Sequence, residues 1–360
     1  MSRTFTTYLS RLFLRQTLVV TLGFTALLQL FDLLKNAGDV IARHGGSIDA
    51  LAYYTLLRLP GIVSFLLPLC ILIATLMTLS HLARHNEIVA MKAAGVSLYR
   101  IVLALAPAAL AIAAAHWILG DQIAPAANRA LQRWDARSIA AADGALGDEA
   151  LWLRSGRAVV RVGGVLDDGR RLTGVQVFLR DEDGNLVAYL AGREAVYRED
   201  AWRLFDVRRT IWPADGPPRR DRLGRMVWDS PLQPRDFVDL STPPDHLTLR
   251  ALRQAAAVAG LGRRPPFFYR TWVQRRIAAP VSIGVMILLA AAVAQTLARS
   301  HAGVINFALG IGLGFLYLIA DGVSLTLGEA GTLPPLLAAW APLAVFATLA
   351  MTALMAREGI

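Results

Sequence analysis

The chain does not keep one pattern of hydrophobic and polar positions along its length. Six stretches, residues 16–31, 59–80, 101–120, 277–298, 302–320 and 330–356, run without a single Asp, Glu, Lys or Arg. Crossing about 30 Å of hydrocarbon takes roughly 20 apolar residues in a helix, so each stretch predicts a transmembrane helix. The first is the shortest, but Leu12 to Leu14 extend it on one side and Leu33 and Leu34 on the other, with Arg15 able to snorkel toward headgroups. A cleaved signal peptide is its competing reading. The run ends in Phe31-Asp32-Leu33-Leu34-Lys35 rather than in small residues, which favours a retained span. Pro334 and Pro335 suit the start of the sixth helix, and Pro342 predicts a kink within it.

Between the third and fourth stretches the period changes. Residues 158–162, 175–179 and 186–190 alternate as half-buried strands do, separated by the turn sequences Asp167-Asp168-Gly169 and Asp181-Glu182-Asp183-Gly184. Those three are examples; with further runs such as 202–212 and 223–228 the set reaches roughly seven strands with no helical crossover, which predicts an antiparallel sandwich or jelly roll. Helix-favouring segments flank it, at 126–142 and 247–259. On the first, Arg129, Arg133 and Arg137 recur at i, i+4 and i+8 and so share one face just outside the third span. That face suits headgroups and solvent first, and as the sharper alternative an anionic lipid leaving the bilayer. The fold expected is therefore a membrane α-helical protein of six transmembrane helices carrying an inserted all-β jelly-roll-like domain: residues 1–125, 126–268 and 269–360.

Charge sharpens this picture. Of 360 residues 55% are hydrophobic and 18% charged, and 37 Lys plus Arg against 27 Asp plus Glu leave a net +10. Residues 121–268 hold 23 arginines and 20 acidic residues, so the strand-rich domain supplies about +3 and the membrane part +7. Basic residues set orientation when they sit in short loops. Arg3, Arg11, Arg15, Arg84, Lys92, Arg100, Arg299 and Arg357 all fall on one side if both termini are cytoplasmic, against Lys35, Arg43 and Arg58 on the other. This places the β domain outside the cytoplasm, and nucleic acid drops out as a partner.

Chemistry is limited by what is missing. The two lysines, Lys35 and Lys92, do not sit in a phosphate loop, so the chain has no Walker-type ATPase site of its own. Neither His-Glu-x-x-His nor Gly-x-Ser-x-Gly occurs, the six histidines are scattered, and Cys70 is the single cysteine, so no catalytic residue, metal or cofactor is predicted. His116 alone among the histidines lies at membrane depth, while Asp32 and Asp321 fall at span ends. One cytoplasmic loop carries a pattern: in residues 84–95 Asn86 is a plausible N-cap, Glu87 sits in the first turn, and Ile88 and Met91 make an apolar side before Gly95. So short a helix lies on the membrane surface or docks in a groove of a partner.

These residues carry a family resemblance. Glu87, Val89, Ala90, Met91, Ala93 and Gly95 resemble the coupling helix of the LptF/LptG permeases of the lipopolysaccharide export system. Ile123-Ala124-Pro125, Pro244-Asp245-His246-Leu247, Trp272 with Pro280, Gly312 to Tyr317 with Asp321, and Leu333-Pro334-Pro335 are similar too, in the same order over nearly the whole chain. Phe31-Asp32 with Lys35 and Ala37-Gly38, and Gly120 to Pro125, are closer to the LptG pattern than to the LptF one. Some relatives carry an additional lysine where this chain has Gln29.

The resemblance implies a non-catalytic permease subunit in a Gram-negative inner membrane, paired with an LptF-like permease above a dimer of the ATPase LptB. LptC and the periplasmic LptA bridge would join on the far side, and ATP would be hydrolysed in trans. It implies a coupling helix of Glu87, Ile88, Met91 and Gly95 seated on the ATPase. It also implies a cavity lined by Phe31, Gly310, Gly314, Phe315 and Tyr317, with Lys35, Arg129 and Arg133 meeting the lipopolysaccharide phosphates and the β domain accepting acyl chains. Two other classes remain open from the residues. A permease of another ABC exporter is expected to have four spans with a large domain after the first, and a membrane-anchored sensor or enzyme would not need the cytoplasmic docking helix.

Overall fold

A computed structural model describes residues 3–43, 47–93, 97–142, 151–213, 216–259, 264–297 and 303–358. In chain order the helices before the strands are α1 (Arg3–Arg43), α2 (Ile48–Arg84), α3 (Glu87–Ala93), α4 (Leu98–Ala104), α5 (Ala106–Ile118) and α6 (Ala124–Ala142). The strands are β1 (Leu151–Ser155), β2 (Ala158–Val162), β3 (Gly164–Leu166), β4 (Arg171–Arg180), β5 (Leu186–Arg198), β6 (Ala201–Ile211) and β7 (Arg219–Trp228). Then follow α7 (Pro234–Ser241), α8 (Leu249–Val258), α9 (Pro266–Ala278), α10 (Ser282–Leu297), α11 (Gly303–Glu329) and α12 (Pro335–Glu358). The chain divides into two compact units, Met1–Ser138 with Gln274–Ile360, and Ile139–Val273.

In the helical unit α2 is the centre. Ser47 caps it, its Oγ accepting from the Ala50 N–H at 3.2 Å, and Leu66 to Leu76 are buried around the whole circumference, as befits a helix apolar on every side. By contrast α1 buries one stripe, with Leu9, Phe13 and Val20 inward, and leaves Leu18, Leu22, Leu27, Leu30, Phe31 and Leu34 exposed. Among the described residues five helices are long and apolar enough to cross a membrane: Thr4–Ala42, Ile48–Arg84, Pro266–Ala294, Phe307–Glu329 and Pro335–Ala356.

The third predicted stretch is built differently, from α4, α5 and a π-helical turn Leu119–Ile123 that leads into α6. Buried backbone carbonyls left without a helical partner need one from elsewhere in the protein, and two side chains supply it, to one carbonyl on α2 and one in the π turn. Pro68 has no N–H to give the Ser64 carbonyl one turn before it, and His116 Nε2 meets that oxygen at 3.1 Å. Within the π turn the Gly120 carbonyl accepts from the Arg276 guanidinium.

In the strand unit all pairings are antiparallel. Strand order is β1-β2-β4-β5-β6-β7, with β3 paired to β4, a meander that forms a single seven-stranded sheet. Both predicted turns form: Asp167–Gly169 is a 3-10 turn and the Asp181 N–H bonds to the Asn185 carbonyl. Gly169, at φ 84°, lies against the Pro234 carbonyl, where a Cβ would collide.

Alternation fails at one level of the sheet. On β4 Leu172 and Val175 are both buried, on β5 Gly192 and Ala195, and on β6 Leu204 and Val207, each pair with two residues between instead of one. These slips are in register, since Leu172 faces Ala195 and Ala195 faces Leu204, while Val175 faces Gly192 and Gly192 faces Val207. Gly174 at φ 61° and Asp206 at φ 50° supply the left-handed backbone there. The result is a crease across three strands that keeps buried side chains on one face on both sides of the bend. That face holds Leu153, Val160, Val177, Leu190 and Trp202, closed by Phe237, Leu240, Leu252 and Tyr269. Trp202 Nε1 donates to the Leu232 carbonyl at 2.8 Å, so the largest buried ring has its polar atom paired. Thr248 caps α8 by accepting from the Ala251 N–H. Gly260 and Gly262, helix-stopping residues that follow α8 in the sequence, lie outside the described residues.

Candidate functional site

At one end of the α1–α2 pair three elements meet. Val40, Ala50, Tyr54 and Leu131 form a small buried cluster, with Leu33, Leu51, Leu57 and Trp134 packed on it, and the Tyr53 and Trp134 rings lie 5.4 Å apart. This joins α1, α2 and α6, the elements that carry Lys35, Arg58, Arg129 and Arg133.

Asp32 is the polar hub of this region. It accepts from Tyr54 Oη at 2.9 Å, Arg58 at 3.0 Å and Asn36 Nδ2 at 3.3 Å, and its side chain is 15% exposed. Read from the sequence, Asp32 is a span-end carboxylate within reach of water or headgroups. In the fold it ties α1 to α2, and the signal that could have shown this was an unpaired Arg58 at the matching depth. Lys35, one turn further along α1, is exposed and has no polar partner among the described residues. Arg129 and Arg133 are exposed on α6 and lie back along it, Nε of each donating to the carbonyl four residues earlier, Pro125 at 3.2 Å and Arg129 at 3.3 Å. The Arg137 side chain lies outside the described residues.

The apolar candidates separate into two groups. Phe31 and Phe315 are 57% and 49% exposed, and Leu316, Ile319 and Val323 extend an open stripe along α11. Gly310, Gly314 and Tyr317 turn inward. A Cβ on Gly310 would run into Leu76, one on Gly314 would come within 2.6 Å of Leu69 Cδ1, and Tyr317 stands edge-on to Phe346 at 5.4 Å. Small residues thus let α11 approach α2 closely. Asp321 is also held, by Arg275 at 2.8 Å. Gln29 is buried on α1, and neither atom of its amide has a hydrogen-bond partner among the described residues.

On the loop after α2, Asn86 occupies the N-cap position of α3, its carbonyl accepting from the Ala90 N–H at 3.0 Å, with φ at 57°, a conformation Asn tolerates. Ile88 is buried in the chain's own helical core and Met91 packs against it. The apolar side of α3 is therefore seated on its own bundle. Glu87 accepts from Tyr8 Oη at 3.1 Å, which links α3 to the start of α1. Gly95 lies outside the described residues. No group of three or more His, Cys, Asp or Glu able to hold a metal exists among the described residues.

This arrangement suits a lipid-handling membrane protein, with open apolar stripes on α1 and α11, an unpaired cation at the end of one of them, and an attached β unit. Comparison with known proteins agrees. The family model described as "Lipopolysaccharide export system permease LptF/LptG" matches residues 7–356. The chain is 24% identical over 346 residues to the lipopolysaccharide export system permease protein LptG of Escherichia coli (strain K12), covering 95% of this chain and 94% of that protein. To the protein of the same name from Haemophilus influenzae it is 25% identical over 312 residues, 85% of each. With six apolar stretches, α3 and the β insert all inside the matched range, this chain belongs to the LptF/LptG family of lipopolysaccharide export permeases.

Proposed function

We propose that this chain is the LptG-type permease subunit of an ABC transporter that extracts lipopolysaccharide from the outer leaflet of the inner membrane and passes it to a periplasmic β-jelly-roll bridge toward the outer membrane. An LptF-like permease is its partner, an LptB-like ATPase dimer supplies the energy, and LptC and LptA receive the substrate. Both termini are cytoplasmic, the β unit is periplasmic, and α4 and α5 with the π turn serve as the third of six spans.

The observation that carries this reading is Lys35. Of the two cations on α1 and α2 at this level, Arg58 is consumed by Asp32, whereas Lys35 is exposed beside Phe31 and Leu34. A substrate with acyl chains and anionic phosphates calls for such an apolar stripe ending in a free cation. Phe31 and Phe315 line the cavity, and Gly310, Gly314 and Tyr317 shape it from behind by seating α11. Arg129 and Arg133 offer further positive charge above it. On the cytoplasmic side Glu87 is the contact to a basic residue of the ATPase, and Ile88 and Met91 hold α3 rigid against the bundle.

Replacing Lys35 by Ala and by Glu in the assembled transporter tests the reading. Lipopolysaccharide delivery and substrate-stimulated ATP hydrolysis should fall, further for Lys35→Glu than for Lys35→Ala. Undiminished delivery by both variants removes Lys35 from the site.

A further inference from the structure

The sheet has a second face that the packing does not use. Leu153, Val160, Val177 and Leu190 are buried, so alternation turns the neighbouring positions of β1, β2, β4 and β5 outward. The register sets them in two adjacent rows. In one, Trp152 is opposite Arg161 and Ala191 is opposite Arg208. In the other, Phe178 is opposite Tyr189, Tyr189 opposite Thr210 and Thr210 opposite Arg220.

The aromatic members make one platform. Trp152 reaches over β2 to stack on Phe178, with ring centroids 6.1 Å apart and planes 16° from parallel. Tyr189 continues it at 5.0 Å from Phe178. The charges around it have one sign, since neither row contains an acidic residue. Asp206, two positions before Arg208, is already held by Arg222 at 3.0 Å. Elsewhere in this unit Arg157, Arg171, Arg203 and Arg209 each meet a carboxylate. Arg161, Arg208 and Arg220 meet none among the described residues. A face shaped only by cross-strand packing gains by pairing opposite charges, and this one pairs Arg222, opposite Arg208, but leaves Arg161, Arg208 and Arg220 open.

We propose that this outward face is a binding site for an anionic saccharide. Aromatic planes take the C–H faces of sugar rings, and planar guanidinium groups take phosphate or carboxylate oxygens in pairs. The proposal rests on the lipopolysaccharide reading and adds to it the part of the substrate recognised here, the charged sugar portion rather than the acyl chains. An acidic peptide fits less well. Extended peptides add to a free sheet edge or lie in a groove, while β2, β4 and β5 are interior strands paired on both sides. A bilayer fits less well too, because two of the three platform rings, Phe178 and Tyr189, are half-buried and only Trp152 is exposed.

The test uses the full chain in detergent micelles and a deacylated, phosphorylated core oligosaccharide as probe, with binding read from tryptophan fluorescence and thermophoresis. The expected result is saturable binding that weakens by about tenfold or more in Arg161→Gln/Arg208→Gln and again on enzymatic dephosphorylation of the probe. Tyr189→Ala should also weaken it, while Arg208→Lys should restore part of the loss, and unchanged melting temperatures establish that the variants fold. Absence of binding, or equal binding by the double variant, overturns the site. Polyglutamate binding that ignores Tyr189→Ala, or binding only to phosphatidylglycerol vesicles, overturns it in favour of an acidic protein or the membrane. Normal lipopolysaccharide delivery without oligosaccharide binding defeats this site alone, and binding without delivery defeats the transport reading alone.

Discussion

Three glycines on α11 give a controlled test of how this helix is seated. Gly310, Gly312 and Gly314 are within one another's turns, yet their surroundings differ. An added methyl on Gly310 would meet Leu76, and one on Gly314 would lie 2.6 Å from Leu69 Cδ1, whereas one on Gly312 would meet nothing within 4 Å. Leu69 and Leu76 are 2% and 0% exposed, so neither can swing aside cheaply. Overpacking a filled core typically costs about 1–3 kcal/mol, against a helix-propensity gain for Gly→Ala of about 1 kcal/mol. Gly310→Ala and Gly314→Ala should therefore lose up to about 2 kcal/mol net, and Gly312→Ala should be neutral or slightly stabilising. Thermal unfolding of the purified protein in a mild detergent, followed by intrinsic fluorescence, reads the sign directly. The same variants separate packing from substrate contact: Gly312→Trp should impair transport with little loss of stability if that side of α11 faces the cavity. Equal destabilisation at all three positions would refute the assignment of Gly310 and Gly314 to the α2 contact.

Arg58→Ala should lower stability by about 2 kcal/mol, because it leaves the mostly buried Asp32 carboxylate without its cation. Asp32→Asn added to it should recover part of that loss, and a purely additive double variant in the same melting assay would show the pair is not coupled. Glu87→Lys should weaken co-purification with the ATPase while the protein stays in the membrane, whereas Tyr8→Phe, which removes only the bond to Glu87, should leave co-purification intact. Normal assembly of Glu87→Lys removes the coupling role. Cys70 is fully buried, so a cysteine at position 184 should be the one that reacts with an external, impermeant thiol reagent and a cysteine at position 90 should not. The reverse pattern overturns the orientation.

Much of the architecture was legible because it depends on composition and short-range period. A helix in lipid needs a long charge-free run whatever surrounds it, and strand runs punctuated by Asp-Asp-Gly and Glu-Asp-Gly announce turns that form at Asp167 and Asp181. The third stretch shows where this stops. Its residues are apolar enough to span, but Pro68 on another helix frees the carbonyl that His116 takes, and the π turn depends on Arg276, more than 150 residues away. The candidate site divides the same way. Phe31 and Phe315 are outward as the pattern of α1 and α11 suggests, while Gly310, Gly314 and Tyr317 face neighbours that no local period names. Ile88 was legible as the apolar side of a short helix, but not that its own bundle would cover it.

By itself the sequence determined that long apolar helices bracket a strand-rich insert, because hydrophobic length and strand period are properties of the chain. Only the tertiary structure decided which charges are spent and which remain. Asp32 takes Arg58 and Asp321 takes Arg275, leaving Lys35 open on one unit and Arg161, Arg208 and Arg220 open on the other. The physical reason is that a charge is neutralised by whatever lies within about 4 Å of it, and such neighbours are set by helix packing and strand register rather than by position along the chain.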